Sequence, residues 1–144
     1  LNPKIKEIKN LRKNQKLKDL KIMMILSMQG SSPTVAGGNT SGDAYIKMLG
    51  AKNIYESIEG WKSVTSESIL NLNPDIIILP EREMHKNSNT KIIMNNELFQ
   101  KTSAGKNNAF IMDDGMAILG YGHRTIYSLL TTLKTINNLY LNKN

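Results

Sequence analysis

The stretch "KIMMILSMQGSSPTVAGGNT", residues 21–40, decides the fold because an apolar run passes directly into a segment rich in Gly, Ser, Pro and Thr. A continuous apolar run of this length is typical of a β-strand that is covered on both faces. We expect a loop of about a dozen residues to follow it, and loops of that length more often bind ligands than merely connect elements. A purely structural loop is the alternative interpretation.

Two further apolar runs, "PDIIIL" at 74–79 and the weaker "NNAFIM" at 107–112, repeat the strand pattern. Helical patterns separate these runs, one of them near residues 90–100, and the apolar spacing across 126–140 predicts the longest helix after them. The alternation predicts an α/β protein, a three-layer domain with a mostly parallel central sheet. In such sheets ligands bind beyond the carboxyl ends of the strands, which is where the glycine-containing loop is expected.

Composition narrows the class of protein. The chain has 144 residues, 40% of them hydrophobic and 22% charged, and it contains no cysteine, so disulfides and thiolate metal sites are excluded. No apolar run approaches the roughly 20 residues of a transmembrane helix. Residues 1–21 hold eight basic and two acidic residues and therefore carry +6 of the net charge of +7. This segment predicts an amphipathic helix, and since no aromatic residue lies among its lysines, we expect no nucleic-acid partner.

The segment "ILGYGHRT", residues 118–125, directly precedes the predicted final helix. Arg124 falls in the first turn of that helix, where a cation opposes the helix dipole. A bound anion would explain this placement, because an arginine can hold a carboxylate through two parallel hydrogen bonds. Gly120 and Gly122 allow close approach of a ligand, and Tyr121 offers an aromatic face. The alternative interpretation is a surface arginine paired with a nearby acid.

Other polar groups give weaker signals. Met28 and Gln29 follow the first strand directly and could face a ligand, and a thioether or the imidazole of His123 could contact iron. The glycines at 30 and 37 lack the spacing and the lysine of a phosphate-binding loop. No carboxylate pair, activated nucleophile or metal cluster stands out, so we predict neither an enzyme nor a dedicated metal site.

Three blocks of sequence together resemble a known family: "MMILSMQGSSPTVAGGNTSGDAYIKMLGAKNI", "GWKSVTSESILNLNPDIIIL" and "MDDGMAILGYGHRT". They are similar to the C-terminal lobe of the haem-binding proteins of bacterial haem ABC importers, in the cluster that also binds siderophores and cobalamin. The resemblance implies that residues 1–20 are the end of the helix that joins two lobes and that residues 21–144 form a ligand-binding lobe. It also implies a periplasmic or otherwise extracytoplasmic location, with a membrane anchor in a Gram-positive cell.

The resemblance further implies that haem lies between two lobes, with residues 28–38 and 121–124 forming one wall of the cleft. Met28, Gln29 and Gly30 would belong to this wall, Met28 and Tyr121 would contact the porphyrin, and Arg124 would hold a propionate. The iron contact, if this lobe supplies one, would come from His123 or Met28. Glu67 matches the acidic residue through which such a lobe docks onto a membrane permease.

The sequence departs from the family pattern at two points. His123 stands where the turn usually has Pro, and the amino-terminal lobe, from which family members commonly take an axial Tyr, is missing. We expect either that a partner chain supplies that lobe or that this chain is a fragment of a longer protein. Two alternatives stay open. One is a siderophore- or cobalamin-binding protein of the same architecture, and the other is a module that docks on a permease without any ligand.

Overall fold

One sheet organises the protein, in a computed structural model that describes residues 2–81, 88–120 and 122–142. Its strands in the described part of the chain are β1 (Lys21–Gln29), β2 (Ser32–Ala36), β3 (Lys52–Asn53), β4 (Trp61–Ser63), β5 (Ile76–Glu81) and β6 (Phe110–Asp114). Their order is β4-β2-β1-β5-β6, and the short β3 also pairs with β1. The pairings of β1 with β3, of β1 with β5 and of β5 with β6 are parallel, whereas β2 runs antiparallel to both β1 and β4. The prediction of a mostly parallel sheet is confirmed.

Helices cover this sheet in two groups. They are α1 (Pro3–Leu11), α2 (Ser41–Met48), α3 (Ser66–Leu72), α4 (Ser88–Met94), α5 (Glu97–Gln100), α6 (Ser103–Lys106), α7 (Gly115–Leu119) and α8 (His123–Ile136). Contacts join α1, α2, α7 and α8 into one group, and other contacts join α3 to α6 into the second. The predicted three-layer α/β class is therefore confirmed, and no helix in the described ranges is long and apolar enough to cross a membrane.

The core lies where the apolar runs predict it. Residues 22–25 of β1 and 76–79 of β5 are at most 1% exposed. Central strands with helices on both faces have no solvent side, which is why these runs do not alternate between apolar and polar residues. Burial of each such side chain contributes about 1.5–3 kcal/mol to folding, so the two central strands anchor the domain.

The prediction of a long loop after β1 is wrong, because this segment forms a β-hairpin. The first strand continues to Gln29, turns at Gly30 and Ser31, and pairs with β2 through Met28 with Pro33 and Gln29 with Ser32. Gly30 has a φ of 60°, which a tight hairpin turn requires and which glycine adopts without strain. A Gly-Ser pair between two extended segments is a hairpin signal that the prediction overlooked.

Two predicted helices are also shorter than expected. The opening helix ends at Leu11, because the Asn14 side chain accepts a hydrogen bond from the Lys16 amide at 3.0 Å and begins a separate 3-10 turn, Gln15–Asp19. The helix expected near residues 90–100 is divided into α4 and α5. Asn96 caps the second of these by accepting a hydrogen bond from the Leu98 amide at 2.9 Å. The final helix is confirmed as α8, followed by a π-helical turn at Asn137–Leu141.

Candidate functional site

The carboxyl ends of the parallel strands define one edge of the sheet. The described ends of β1, β5 and β6 are Gln29, Glu81 and Asp114, and the last two are paired in register. All three strands run in the same direction, so their carboxyl ends lie at a common edge, which is the usual ligand-binding position in open α/β sheets. The candidate site is therefore built from what projects beyond this edge.

The β1–β2 hairpin extends past the edge on one side. Met28 is partly buried against the hydrophobic core, whereas Gln29 and Gly30 at the turn are exposed. The hairpin is fixed at its far end because the buried Ser66 hydroxyl donates a hydrogen bond to the carbonyl oxygen of Ser31 at 3.0 Å. The predicted ligand-contacting residues of this segment thus lie on a strand and a tight turn rather than on a long loop.

The predicted glycine-rich wall is shorter than the range 28–38, because its second half supports the fold. The amide of Gly37 donates to the carbonyl oxygen of Gly60 at 3.0 Å, and the amide of Gly38 donates to the carbonyl oxygen of Ile58 at 2.6 Å. Both glycines are buried. A Cβ atom on Gly37 would lie 2.1 Å from the oxygen of Ile58, so the close backbone approach requires glycine there. The exposed turn of the hairpin is what remains available to a ligand.

The start of α8 forms the other part of the candidate site. The Gly122 amide donates to the hydroxyl of Thr125 at 3.2 Å, and this hydrogen bond closes the first turn of the helix. His123 and Arg124 are exposed in that turn. The first amides of a helix generally lack intrahelical partners, so this turn offers hydrogen-bond donors as well as the guanidinium group. Tyr121, which was predicted to contact the ligand, lies outside the described residues.

Arg124 is paired with an acid in the structure. Its Nη1 atom lies 3.1 Å from Oδ2 of Asp114, and the two side chains are 73% and 50% exposed. The alternative interpretation of Arg124, a surface arginine paired with a nearby acid, is thus realised. Exposed ion pairs of this kind contribute at most about 1 kcal/mol, so the pairing holds the guanidinium only weakly. The contact is made through one nitrogen, and a second carboxylate could still bind the remaining donors.

The structure places the two groups of predicted residues at the same edge of the sheet. Met28 and Gln29 are the last residues of β1 and Gly30 follows them, whereas Arg124 contacts the last residue of β6, and the end of β5 lies between the two groups. Their joint action on one ligand stays a prediction. Within residues 2–81, 88–120 and 122–142, no group of three or more His, Cys, Asp or Glu side chains could hold a metal ion.

Glu67 lies on a second surface next to the hairpin. It is exposed in the first turn of α3, which begins where the Thr65 hydroxyl accepts a hydrogen bond from the Ser68 amide at 3.1 Å. Glu67 lines an open pocket of about 350 Å³ between the hairpin turn and the starts of α3 and α5. Glu97 lines the same pocket, a second carboxylate that the sequence analysis did not identify because the chain separates the two by 30 positions.

A buried polar network supports the hairpin from below. Asn53 donates from Nδ2 to the carbonyl oxygen of Ala36 at 3.1 Å and to Oδ1 of Asp43 at 3.0 Å. Burial by itself raises the pKa of Asp43, but its bonds with Lys47 and Asn53 outweigh burial and hold this pKa below its usual value. The network thus connects α2 and β3 to the strand that returns from the candidate site.

A family model described as periplasmic binding protein matches residues 1–116. The periplasmic haem-binding protein HutB of Vibrio cholerae superposes with a TM-score of 0.76 at 25% identity, covering 92% of this chain and 52% of HutB. A periplasmic solute-binding protein of Staphylococcus epidermidis gives a TM-score of 0.72 at 27% identity, covering 94% of this chain and 52% of the other.

A third structure, from an ABC-type Fe3+-hydroxamate transport system of Saccharomonospora viridis, gives a TM-score of 0.68 at 14% identity, with coverage of 96% and 47%, and shows the fold alone. No curated protein matches the chain. The chain spans about half the length of these solved structures, as expected for one lobe. The family consists of substrate-binding proteins of ABC transporters, so the prediction that the chain is not an enzyme is confirmed. The chain belongs to the periplasmic binding protein family.

Proposed function

We propose that this chain is the ligand-binding lobe of a substrate-binding protein that takes up haem outside the cytoplasm and delivers it to a membrane ABC permease. One observation carries the proposal: the exposed guanidinium of Arg124 lies at the carboxyl edge of the sheet, the edge past which the β1–β2 hairpin also extends. The similarity to the haem-binding protein HutB supports haem as the ligand.

In this proposal the apolar macrocycle lies across the edge of the sheet and its carboxylates face α8. Arg124 binds a propionate, since a guanidinium group matches the geometry of a carboxylate. Met28, Gln29 and Gly30 contact the macrocycle from the hairpin. Tyr121, which precedes α8 in the sequence, also contacts it, and His123 or Met28 is the candidate iron contact from this lobe. A second lobe covers the other face, because one lobe leaves half of a flat apolar ligand in water.

Titration of the purified chain with haemin tests the proposal through the shift of the Soret absorption band. Loss of a hydrogen bond to a charged group costs roughly 1.5–3 kcal/mol, so we expect Arg124→Ala to weaken haemin binding about tenfold or more. Arg12→Ala is the matched control, because it removes another exposed arginine, at the end of α1. An unshifted Soret band with the wild-type chain, both alone and mixed with its complementary lobe, would refute the proposal.

A siderophore or cobalamin is the second candidate ligand, supported by the fold shared with the hydroxamate-transport structure. These ligands lack the flat dicarboxylate edge for which Arg124 is suited. Competition against bound haemin by a ferric hydroxamate and by cyanocobalamin separates the candidates. Displacement of haemin at stoichiometric concentration by either compound would favour that ligand over haem.

For the docking step we propose that Glu67 binds a basic residue of the permease. Glu67 is exposed in the first turn of the short helix α3, beside the hairpin, so a docked permease would lie close to the ligand edge. We expect Glu67→Gln to reduce capture of the chain by membrane vesicles that contain the permease, whereas Glu56→Gln, at another exposed glutamate, should leave capture unchanged. If the vesicles capture the chain equally well without haemin, and the chain itself binds no haemin, the alternative of a docking module without a ligand would be favoured.

A further inference from the structure

We propose that Met116 is an additional ligand contact and that Asp114 is the positioning residue that holds Met116 and Arg124 side by side. Together the three residues form a site for an amphipathic anion, one that has an apolar body and a carboxylate at its edge. The inference rests on the proposed function, which assigns Arg124 a carboxylate but assigns no role to Met116 or Asp114.

Asp114 connects the other two residues through its two carboxylate oxygens. Oδ1 accepts a hydrogen bond from the Met116 amide at 3.0 Å, and Oδ2 accepts one from Nη1 of Arg124 at 3.1 Å. Asp114 is itself the last residue of β6, where it is paired with Glu81 of β5. One side chain anchored to the sheet therefore accepts hydrogen bonds both from the first turn of α7 and from the guanidinium group at the start of α8.

Met116 presents a large apolar side chain to solvent from this fixed backbone. Met116 is 67% exposed, whereas the next two residues, Ala117 and Ile118, are 5% and 0% exposed. Its amide is bound by Asp114, and its carbonyl oxygen accepts a hydrogen bond from the Gly120 amide at 2.9 Å. Because the backbone of Met116 is already ordered, a ligand that covers the side chain costs little further conformational entropy, and the contact therefore favours binding.

The two exposed groups differ in chemistry and complement each other. Arg124 offers donors for a carboxylate, and Met116 offers a polarizable thioether side chain that adapts to flat aromatic surfaces. Within the described residues the guanidinium donates to Asp114 through one nitrogen. A tetrapyrrole that carries propionates has both required features, an apolar face and anionic groups at one edge.

Haemin and haemin dimethyl ester, which lacks the free carboxylates, separate the three roles in binding titrations of the full chain. Met116→Ser should weaken binding of both ligands by roughly fivefold to tenfold, and Met116→Leu should restore most of the affinity. Arg124→Ala should weaken binding of haemin but not of the ester. Leu72→Ser is the control, because Leu72 is 40% exposed and its carbonyl oxygen accepts a hydrogen bond from Lys21 at the amino-terminal end of β1, opposite the ligand edge.

Asp114→Asn tests the positioning role without removing the hydrogen-bond acceptor for the Met116 amide, since Asn also caps helices. It should weaken haemin binding by about threefold, the scale of an exposed ion pair, and leave binding of the ester unchanged. In an Arg124→Ala background the same substitution should have no further effect. Such non-additivity would not follow from a merely structural role.

Two results would overturn the inference while the proposed function stands. One is haemin binding that Met116→Ser leaves unchanged, and the other is an Asp114→Asn effect that is equal for both ligands or persists without Arg124. A wild-type chain that binds neither ligand would overturn the proposed function and this inference together. Circular dichroism of each variant shows that it is folded before binding is compared.

Discussion

Replacement of Asn53 by Ala should destabilise the protein more than any substitution at its exposed asparagines. Asn53 is fully buried, and its side chain makes three hydrogen bonds. Its Nδ2 atom donates to Ala36 and Asp43, and its Oδ1 atom accepts from the Tyr55 amide at 3.0 Å. Alanine removes all three and leaves buried partners that water cannot reach.

The magnitude follows from these contacts. A neutral hydrogen bond contributes a net value of about 1 kcal/mol and one to a charged group about 1.5–3 kcal/mol, so the three together amount to about 4 kcal/mol. Domains are stable by only about 5–15 kcal/mol. The substitution should therefore remove a quarter or more of the free energy of unfolding.

Urea unfolding followed by circular dichroism measures this loss. With a denaturant slope of about 2 kcal/mol per molar for a domain of this size, the unfolding midpoint should fall by about 2 M. Asn71→Ala, at an exposed position in α3, is the matched control and should change stability by no more than about 0.5 kcal/mol. A loss below 1 kcal/mol for Asn53→Ala would refute the assignment of this network as a main support of the fold.

Three further predictions concern stability. The pKa of Asp43 is held below its usual value in the folded protein. The Asp43 carboxylate therefore stabilises the fold fully above about pH 4, and this stabilisation is lost as the pH falls through the folded-state pKa. Asp43→Asn should make the melting temperature depend less on pH in this acidic range. Gly37→Ala should destabilise the protein by more than about 2 kcal/mol in urea unfolding, because the new Cβ would lie 2.1 Å from a carbonyl oxygen, whereas Gly122→Ala, with no atom within 4 Å, should be tolerated. Tyr45→Phe removes buried hydroxyl contacts to α8, including one of 2.7 Å with Ser128, and should lower the free energy of unfolding by about 1–2 kcal/mol; an unchanged melting curve would contradict this role.

One residue of the candidate site could be predicted from a local signal in the sequence. Arg124 was identified from its unfavourable position at the start of a helix, and the structure places it at the carboxyl edge of the sheet. Its partner Asp114 and the exposed Met116 were not identified, since nothing local distinguishes a functional acid or methionine from an ordinary one. The same holds for Glu97, which comes close to Glu67 only through packing of α3 against α5.

The block "AGGNTSGDAYIKMLGAKN" shows how a family signature can serve the fold rather than the ligand. The Thr40 hydroxyl donates to the carbonyl oxygen of Gly37 at 2.7 Å and accepts from the Asp43 amide at 3.0 Å, and Asn53 completes the network. Sequence similarity in this block therefore supports the architecture strongly. It bears on the ligand only through the exposed hairpin that precedes it.

The sequence by itself determined the α/β class, the buried parallel strands and the final helix, because continuous apolar runs and helical spacing depend on the few residues nearest in the chain. Only the tertiary structure decided that Tyr45 of α2 bonds to Ser128 of α8, that Asn53 bonds to Ala36 of β2, and that Glu97 lines the same pocket as Glu67. These features depend on which distant groups meet when the elements pack, and hydrogen bonding between groups far apart in the chain leaves no periodic pattern in the sequence.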